Sequence, residues 1–248
     1  MAGHSKWHNI RIRKSKQDAM RSKLFTKLAR EIMVAARQGG GNPDANARLR
    51  LAIEKARENH MPADNIKRAI QKGTGEIEGV QFEEVTYEGY GPGGVAMMVE
   101  CLTDNRNRTV AELRHLFSKH GGNLGESGSV AWQFKRQGVI TVPCEAIGEE
   151  ALLDLALEAG AEDVQTEEEF YRVITAVEDF HRVRETLVEQ GVPIAEAQLE
   201  LTPTTTVRVE SETASKLMRL MEVLEDHDDV QNVYANFDIP DEVLATLS

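Results

Sequence analysis

The densest concentration of groups able to do chemistry lies near the start of the chain, in Lys6-Trp7-His8-Asn9-Ile10-Arg11-Ile12-Arg13-Lys14-Ser15-Lys16. Cations, an amide, a hydroxyl and one indole are what phosphates and unpaired bases require. Lys and Arg displace counterions from phosphate, Asn9 and Ser15 can fix the register of a nucleic-acid backbone, and Trp7 can stack on an exposed base. Arg21, Lys23, Lys27 and Arg30 carry the charge onward. The expected nucleic-acid-binding residues are therefore Lys6, Trp7, Arg11, Arg13, Lys14, Lys16, Arg21, Lys23, Lys27 and Arg30. A solvated basic face is the plainer alternative. Density, aromatic interleaving and charge segregation together favour a polyanion.

Other chemistry-bearing groups are sparser. Asp104-Asn-Arg106-Asn-Arg108 gathers cations between a strand end and a helix start, which makes Arg106 and Arg108 a candidate second anion contact. A self-satisfied loop, with Asp104 pairing one arginine, reads equally well. His4 and His8 have a spacing that could share a metal, but Lys6 and Arg11 would repel it. Glu167–Glu169 and Asp226-His-Asp-Asp229 have carboxylates for Mg²⁺, yet read as a solvated turn and a helix exit. Gly89-Tyr-Gly-Pro-Gly-Gly94 lacks the Gly-Lys-Ser/Thr ending of a phosphate loop and reads as a turn between strands. No Ser-His-Asp, Cys-His or paired-carboxylate spacing is legible, and Cys101 and Cys144 form no Cys-x-x-Cys pair. The expectation is a protein that is not an enzyme, with no cofactor and no metal, in a reducing compartment.

A net charge of −12 would ordinarily discourage a polyanionic partner. The distribution reverses that inference. Residues 1–80 carry 17 Lys/Arg against 8 Asp/Glu, and residues 81–248 carry 12 against 33, so the two parts are +9 and −21. At a Debye length of about 8 Å, a basic end is largely blind to acidic surface a few nanometres away. Residues 1–30 have the basic bias of a transit peptide, but the charge continues into a helix with its own apolar face, which favours a cytoplasmic protein. The longest apolar run, Val95 to Val99, has strand length, so no membrane partner is expected.

The elements that must hold these groups follow from periodicity. Leu24, Phe25, Leu28, Ile32 and Ala35/Ala36 make one stripe of a helix from Asp18 to Gln38, stopped by Gly39-Gly40-Gly41. Asn42 and Pro43 read as the cap and first position of a second helix, buried through Leu49, Ala52, Ile53 and Ala56. Pro62 opens a third, with Gly73 as its left-handed stop. Val85–Tyr87 and Val95–Leu102 read as paired strands, Thr109 and Glu112 as a capping box, and Val130–Phe134 as a strand. Residues 135–202 spell β-α-β-β-α-β, and the tail adds strand, helix, strand. The expected fold class is α+β, an N-terminal three-helix domain followed by two α/β domains, one ferredoxin-like and inserted into the other. The boundaries are 1–80 for the arm and helices, 81–134 plus 203–248 for the discontinuous domain, and 135–202 for the insertion.

Ala2-Gly-His-Ser-Lys-Trp7, Phe25-Thr-Lys27, Gly39-Gly-Gly-Asn-Pro-Asp-Ala-Asn46, Tyr87-Glu-Gly-Tyr-Gly-Pro-Gly-Gly94, Asp104-Asn-Arg-Asn-Arg-Thr109, Gly121-Gly-Asn-Leu124 and Glu158-Ala-Gly-Ala-Glu-Asp163 together resemble the YebC/PmpR family over nearly the whole chain. The resemblance implies a three-domain cytoplasmic protein. Its bacterial members are described as DNA-binding transcriptional regulators, and it is related to the mitochondrial translational activator of cytochrome c oxidase. It also implies an alternative, a ribosome-associated translation factor that binds ribosomal or transfer RNA and relieves stalling. Ile12 departs from the family pattern, which often places a basic or imidazole side chain there. A mobile basic arm with an aromatic suits structured RNA, whereas the family description favours DNA.

Overall fold

The computed structural model describes residues 18–167 and 169–240, and of residues 18–21 and 211 the backbone alone. Residues 131–206 form one compact unit, and the described residues on either side of them form another. The larger unit begins with helices α1 (Asp18–Gly39), α2 (Ala47–Glu58) and α3 (Ala63–Thr74). Apolar residues spaced three and four apart put Leu28, Ile32, Ala35 and Ala36 of α1 against Leu49, Ala52, Ile53 and Ala56 of α2 and Ile66 and Ala69 of α3. Burying a side chain such as the inaccessible Ile32 contributes about 1.5–3 kcal/mol.

Two helix boundaries differ from expectation. The cap of α2 is Asn46, not Asn42. Asn46 Oδ1 accepts from Leu49 N at 3.1 Å, while its Nδ2 donates to the carbonyls of Ala35 and Gly40 at 2.8 and 2.9 Å. One amide thus starts α2 and closes the end of α1. Asn42 instead accepts from Asp44 N in a local turn. At the end of α3, the left-handed residue is Gly75, with φ 80°. Gly73 lies inside the helix, where a Cβ would collide with the Met33 carbonyl oxygen, so the α1–α3 crossing itself needs glycine. Gly73→Ala should therefore cost about 3 kcal/mol through overpacking against backbone. Gly75→Ala, with open space around it, should cost about 1 kcal/mol of left-handed strain. Urea melts of the two variants check this, and the reverse order would remove the crossing as the reason for Gly73.

The chain continues with β1 (Glu83–Gly91), a turn through Pro92-Gly93-Gly94, β2 (Val95–Thr103), α4 (Arg106–Lys119) and β3 (Asn123–Leu124). Gly93 and Gly94 have φ of 80° and 74°, which lets so short a turn reverse the chain. The smaller unit contains β4 (Phe134–Pro143), α5 (Glu149–Ala159), β5 (Asp163–Thr166), β6 (Phe170–Thr175), α6 (Phe180–Glu189) and β7 (Glu196–Pro203). Its sheet order is β5-β6-β4-β7, with every neighbouring pair antiparallel, which is the ferredoxin-like arrangement. The expected strand at Val130–Phe134 is a short 3-10 turn, Ala131–Gln133, that leads into β4. As a compact unit it spans Ala131–Thr206.

The chain then returns to the larger unit through β8 (Val207–Arg208), α7 (Ser211–Glu225), β9 (Val230–Ala235) and β10 (Phe237–Asp238). β9 pairs with β2, completing the antiparallel sheet β3-β1-β2-β9. Leu113 and Phe117 of α4 and Leu217, Leu220, Met221 and Leu224 of α7 cover one face of this sheet, over Val95, Met97, Val99, Cys101, Val230, Val233 and Ala235. The fold class is α+β, a helical N-terminal region followed by α/β domains. Both four-stranded sheets share one spatial plan. A strand-helix-strand crossover passes over a strand that precedes the crossover in the larger unit (β1) and follows it in the smaller (β6).

Candidate nucleic-acid interface

On α1 the cations Lys23, Lys27 and Arg30 recur four and three residues apart, so they share a stripe opposite the one packed on α2 and α3. That stripe meets the end of α7. Lys27 Nζ donates to the Glu225 carbonyl at 2.6 Å and Lys23 Nζ to the Asp226 carbonyl at 3.2 Å. Arg30 Nη1 donates to the carbonyls of Asp228 and Leu102 at 2.7 and 3.2 Å and to Asp229 Oδ1 at 2.8 Å. The last carbonyls of a helix have no intrahelical partner and carry the negative end of its dipole, so cations are the groups that satisfy them. The Arg30 guanidinium also lies 4.8 Å from the centroid of the Phe82 ring. Farther along α1, Arg37 Nη2 donates to the Phe82 carbonyl at 2.6 Å.

Asp229 is the centre of this junction. Its side chain is 3% exposed. Besides Arg30, it accepts from Arg108 Nη2 and from Thr109 Oγ1, each at 2.8 Å. Burial works against its ionisation, but the hydrogen bonds from Arg108, Thr109 and Arg30 prevail, and the carboxyl is held below its ordinary pKa. Thr109 is thus not the cap of α4. The cap is Asn105, whose Oδ1 accepts from Arg108 N at 3.0 Å, and Thr109 lies one turn inside, fully buried. Arg108 also pairs with Asp104 at 2.9 Å, the self-satisfied alternative for this segment. Arg106, 62% exposed, lies 3.7 Å from Glu83.

Glu112, His227 and Asp229 bring metal-ligand atoms within 4.8 Å of one another. Their chemistry argues for a closed hydrogen-bond network instead. His227 Nδ1 accepts from Asp229 N at 3.1 Å, which leaves Nε2 to donate to Glu112 at 2.8 Å. Two guanidinium groups already neutralise Asp229. Burial pushes the Cys101 thiol up to about 12, far from a nucleophilic thiolate.

Of the remaining expected contacts, Lys6, Trp7, Arg11, Arg13, Lys14 and Lys16 lie outside the described residues, as do His4 and His8, and so does the side chain of Arg21. A further set of cations lies outside the expected contacts. Lys67, Arg68 and Lys72 are exposed on α3 and form no hydrogen bond or ion pair among the described residues. Their spacing was the available signal, since 67, 68 and 72 share the face opposite Ile66, Ala69 and Ile70. No helix among the described residues is long and apolar enough to cross a membrane.

Comparison with known proteins covers almost the whole chain. Residues 5–76 match the model of the TACO1/YebC protein N-terminal domain, and residues 82–237 that of the TACO1/YebC second and third domain. A protein of Persephonella marina named "Probable transcriptional regulatory protein" is 58% identical over 250 residues, covering 100% of both chains. One of Sulfurihydrogenibium with the same description is 57% identical over 249 residues, covering 100% of this chain and 99% of its own. The crystal structure of a conserved hypothetical protein from Aquifex aeolicus is similar at TM-score 0.86 and 56% identity, over 93% of this chain and 96% of that one.

Proposed function

The chain belongs to the TACO1/YebC family, and on that premise we propose that it is a nucleic-acid-binding regulator of gene expression acting in the cytoplasm. The polyanion is held by the N-terminal residues Lys6, Trp7, Arg11, Arg13, Lys14, Lys16 and Arg21 and by the α3 face of Lys67, Arg68 and Lys72. The observation that carries this reading is charge segregation: a +9 segment of 80 residues joined to a −21 remainder, with three exposed cations on one helix of the basic part that have no partner among the described residues. The relatives' printed name supports DNA and transcription as the setting.

A specific observation favours RNA, with a role at the ribosome, as the second reading. α1 buries one stripe on α2 and α3 and commits Lys23, Lys27 and Arg30 to the end of α7 and to Asp229. Among the described residues, those cations of α1 are engaged within the protein instead of being laid out for a major groove, where a DNA-reading helix presents them. Crosslinking in cells followed by sequencing of the recovered nucleic acid separates the readings. Promoter DNA supports the first, ribosomal or transfer RNA the second, and recovery of neither above background overturns both. With about six phosphate contacts, log K against log salt on duplex DNA should fall with a slope near −5. An affinity indifferent to salt would sink the electrostatic basis of the proposal.

A further inference from the structure

The ferredoxin-like unit ends its sheet on β7 (Glu196–Pro203), the longest edge strand among the described residues. Its bonding sides follow from the ladders. Cys144 N donates to the Glu169 carbonyl, continuing the β4–β6 ladder, and Thr204 N donates to the Gln133 carbonyl, continuing the β4–β7 ladder. Even-numbered residues of β7 thus turn their backbone groups towards β4. Ala197, Leu199 and Leu201 turn theirs away, and those groups have no partner among the described residues. The two faces of the strand differ as well. Leu199 lies opposite Gly138, where a Cβ would collide with Phe180 of α6, so Ala197, Leu199 and Leu201 share the helix-covered face, on which they are half-buried. Glu196, Gln198, Glu200 and Thr202 share the other.

An unpaired edge of this length is a template for one more strand. The opposite edge, β5 (Asp163–Thr166), is four residues long with Val164 as its one apolar residue. The chain contains a segment whose pattern matches β7. Asn9-Ile10-Arg11-Ile12-Arg13 alternates apolar and basic residues, so as a strand it puts Ile10 and Ile12 on one face and Arg11 and Arg13 on the other. Seated on β7 with the isoleucines beside Leu199 and Leu201, it turns both arginines to the face of Glu196 and Glu200. A slip of one residue would put arginine on the apolar face. Charge favours the same match. Residues 131–206 carry 5 Lys/Arg against 16 Asp/Glu, a net of −11, whereas residues 1–17 carry five Lys/Arg and no acid. Glu200 already accepts from Arg172, so the attraction comes from the net charge of the unit rather than from that one carboxylate. Pairing the β7 strands of two copies would instead bring −11 against −11, which disfavours a second copy as the occupant.

We infer that β7 is a docking edge for the chain's own segment Asn9–Arg13, which adds to the four-stranded sheet and withholds Arg11 and Arg13 from nucleic acid. The acidic unit is then an internal competitor for the arm. A polyanion must displace the strand before it can collect those two cations, so its apparent affinity is reduced by the fraction of time the arm is undocked. The contact is selective. Net charge alone would accept any basic run, but backbone pairing beside Leu199 and Leu201 requires apolar residues at every second position. Ile10 and Ile12 thereby gain a task that phosphate contacts do not give them.

The competition rests on the reading that the arm binds nucleic acid, whereas the docking does not, and the test separates the two. Full-length wild type is compared with Ile10→Ser/Ile12→Ser, which keeps every charge of the arm, and with Ile10→Val/Ile12→Val, which keeps its preference for a strand. In wild type the amides of Leu199 and Leu201 should exchange with deuterium at least about tenfold more slowly than in the serine variant, with those of β4 and β6 unchanged. The valine variant should match wild type. A benzoylphenylalanine photocrosslinker placed at position 12 should label peptides within 196–203, in a monomeric product whose yield is independent of protein concentration. The serine variant should bind short duplex DNA and transfer RNA about fivefold more tightly, as expected for a wild-type arm undocked about a fifth of the time. That gain should shrink as salt screens the arm from the acidic unit. Equal exchange of the two leucine amides in wild type and serine variant, or crosslinks that fall outside 196–203 or only between copies, overturns the docking. Docking without a gain in affinity overturns the competition. A wild-type chain that binds neither probe overturns the nucleic-acid reading and the competition with it, while exchange and crosslinking still decide the docking.

Discussion

Asp229→Ala is expected to lower stability by about 3 kcal/mol, because it removes the charged acceptor of Arg30 and a hydrogen-bond partner of Thr109 at a site 3% exposed to solvent. The loss stays at the low end for a broken buried ion pair because Arg108, 42% exposed, regains water. Asp229→Asn keeps the shape and one acceptor oxygen but drops the charge, and should cost about half as much. Urea denaturation followed by far-UV circular dichroism gives both values; a change below about 0.5 kcal/mol for the alanine variant would show that the junction is not held through this carboxylate. The pH dependence has a definite sign. The folded Asp229 carboxyl lies below its unfolded value of about 3.9. As pH falls, the unfolded chain therefore takes up the proton first. The stabilisation is whole above about pH 4 and disappears as pH drops through the depressed folded pKa. Asp229→Asn should remove that part of the acid limb and leave the neutral-pH plateau lower but flat.

Charge reversal in the arm, Arg11→Glu/Arg13→Glu/Lys14→Glu, should weaken nucleic-acid binding by about a hundredfold or more near 0.1 M salt, and reduce the duplex salt slope by about three. The thermal transition should not move. The opposite result is expected for Lys23→Ala/Lys27→Ala/Arg30→Ala, whose side chains are bound to the end of α7 and to Asp229. That variant should melt earlier and lose little affinity. If it instead loses binding at unchanged stability, α1's cations serve the polyanion after all, and the division of labour proposed for the basic segment is wrong. Arg30 should dominate the stability loss, because its guanidinium is 14% exposed and holds three acceptors.

Much of this architecture was legible in the chain because its causes are local. A stripe of apolar residues every three or four positions forces one face of α1, α2 and α3 inward whatever surrounds them, and Ile32, Leu49, Ile53, Ala56 and Ala69 are buried as their spacing requires. The β-α-β-β-α-β order of the smaller unit follows from alternating periods of two and 3.6. Local signals failed where two equivalent candidates stood close together. Asn42 and Asn46 are both good caps, but only Asn46 also reaches the carbonyls of Ala35 and Gly40. Gly73 and Gly75 can both be left-handed, but only a Gly73 without a Cβ lets α3 cross α1.

Composition and order alone determined that the chain divides its charge, with a basic helical start and an acidic α/β remainder. They also place the densest run of cations in the N-terminal 30 residues, which is the basis for expecting anion contacts there. Which cations remain available to a partner was decided only by the tertiary structure. Lys27 finds its carbonyl 198 residues away, and Lys23 finds one 203 residues away. No short window of sequence contains both members of either pair. A positive side chain is identical on paper whether it caps another helix, neutralises a buried aspartate or waits in solvent. The fold assigned Lys23, Lys27, Arg30 and Arg108 to the first two tasks, and left Lys67, Arg68, Lys72, Arg114 and Lys119 without partners among the described residues.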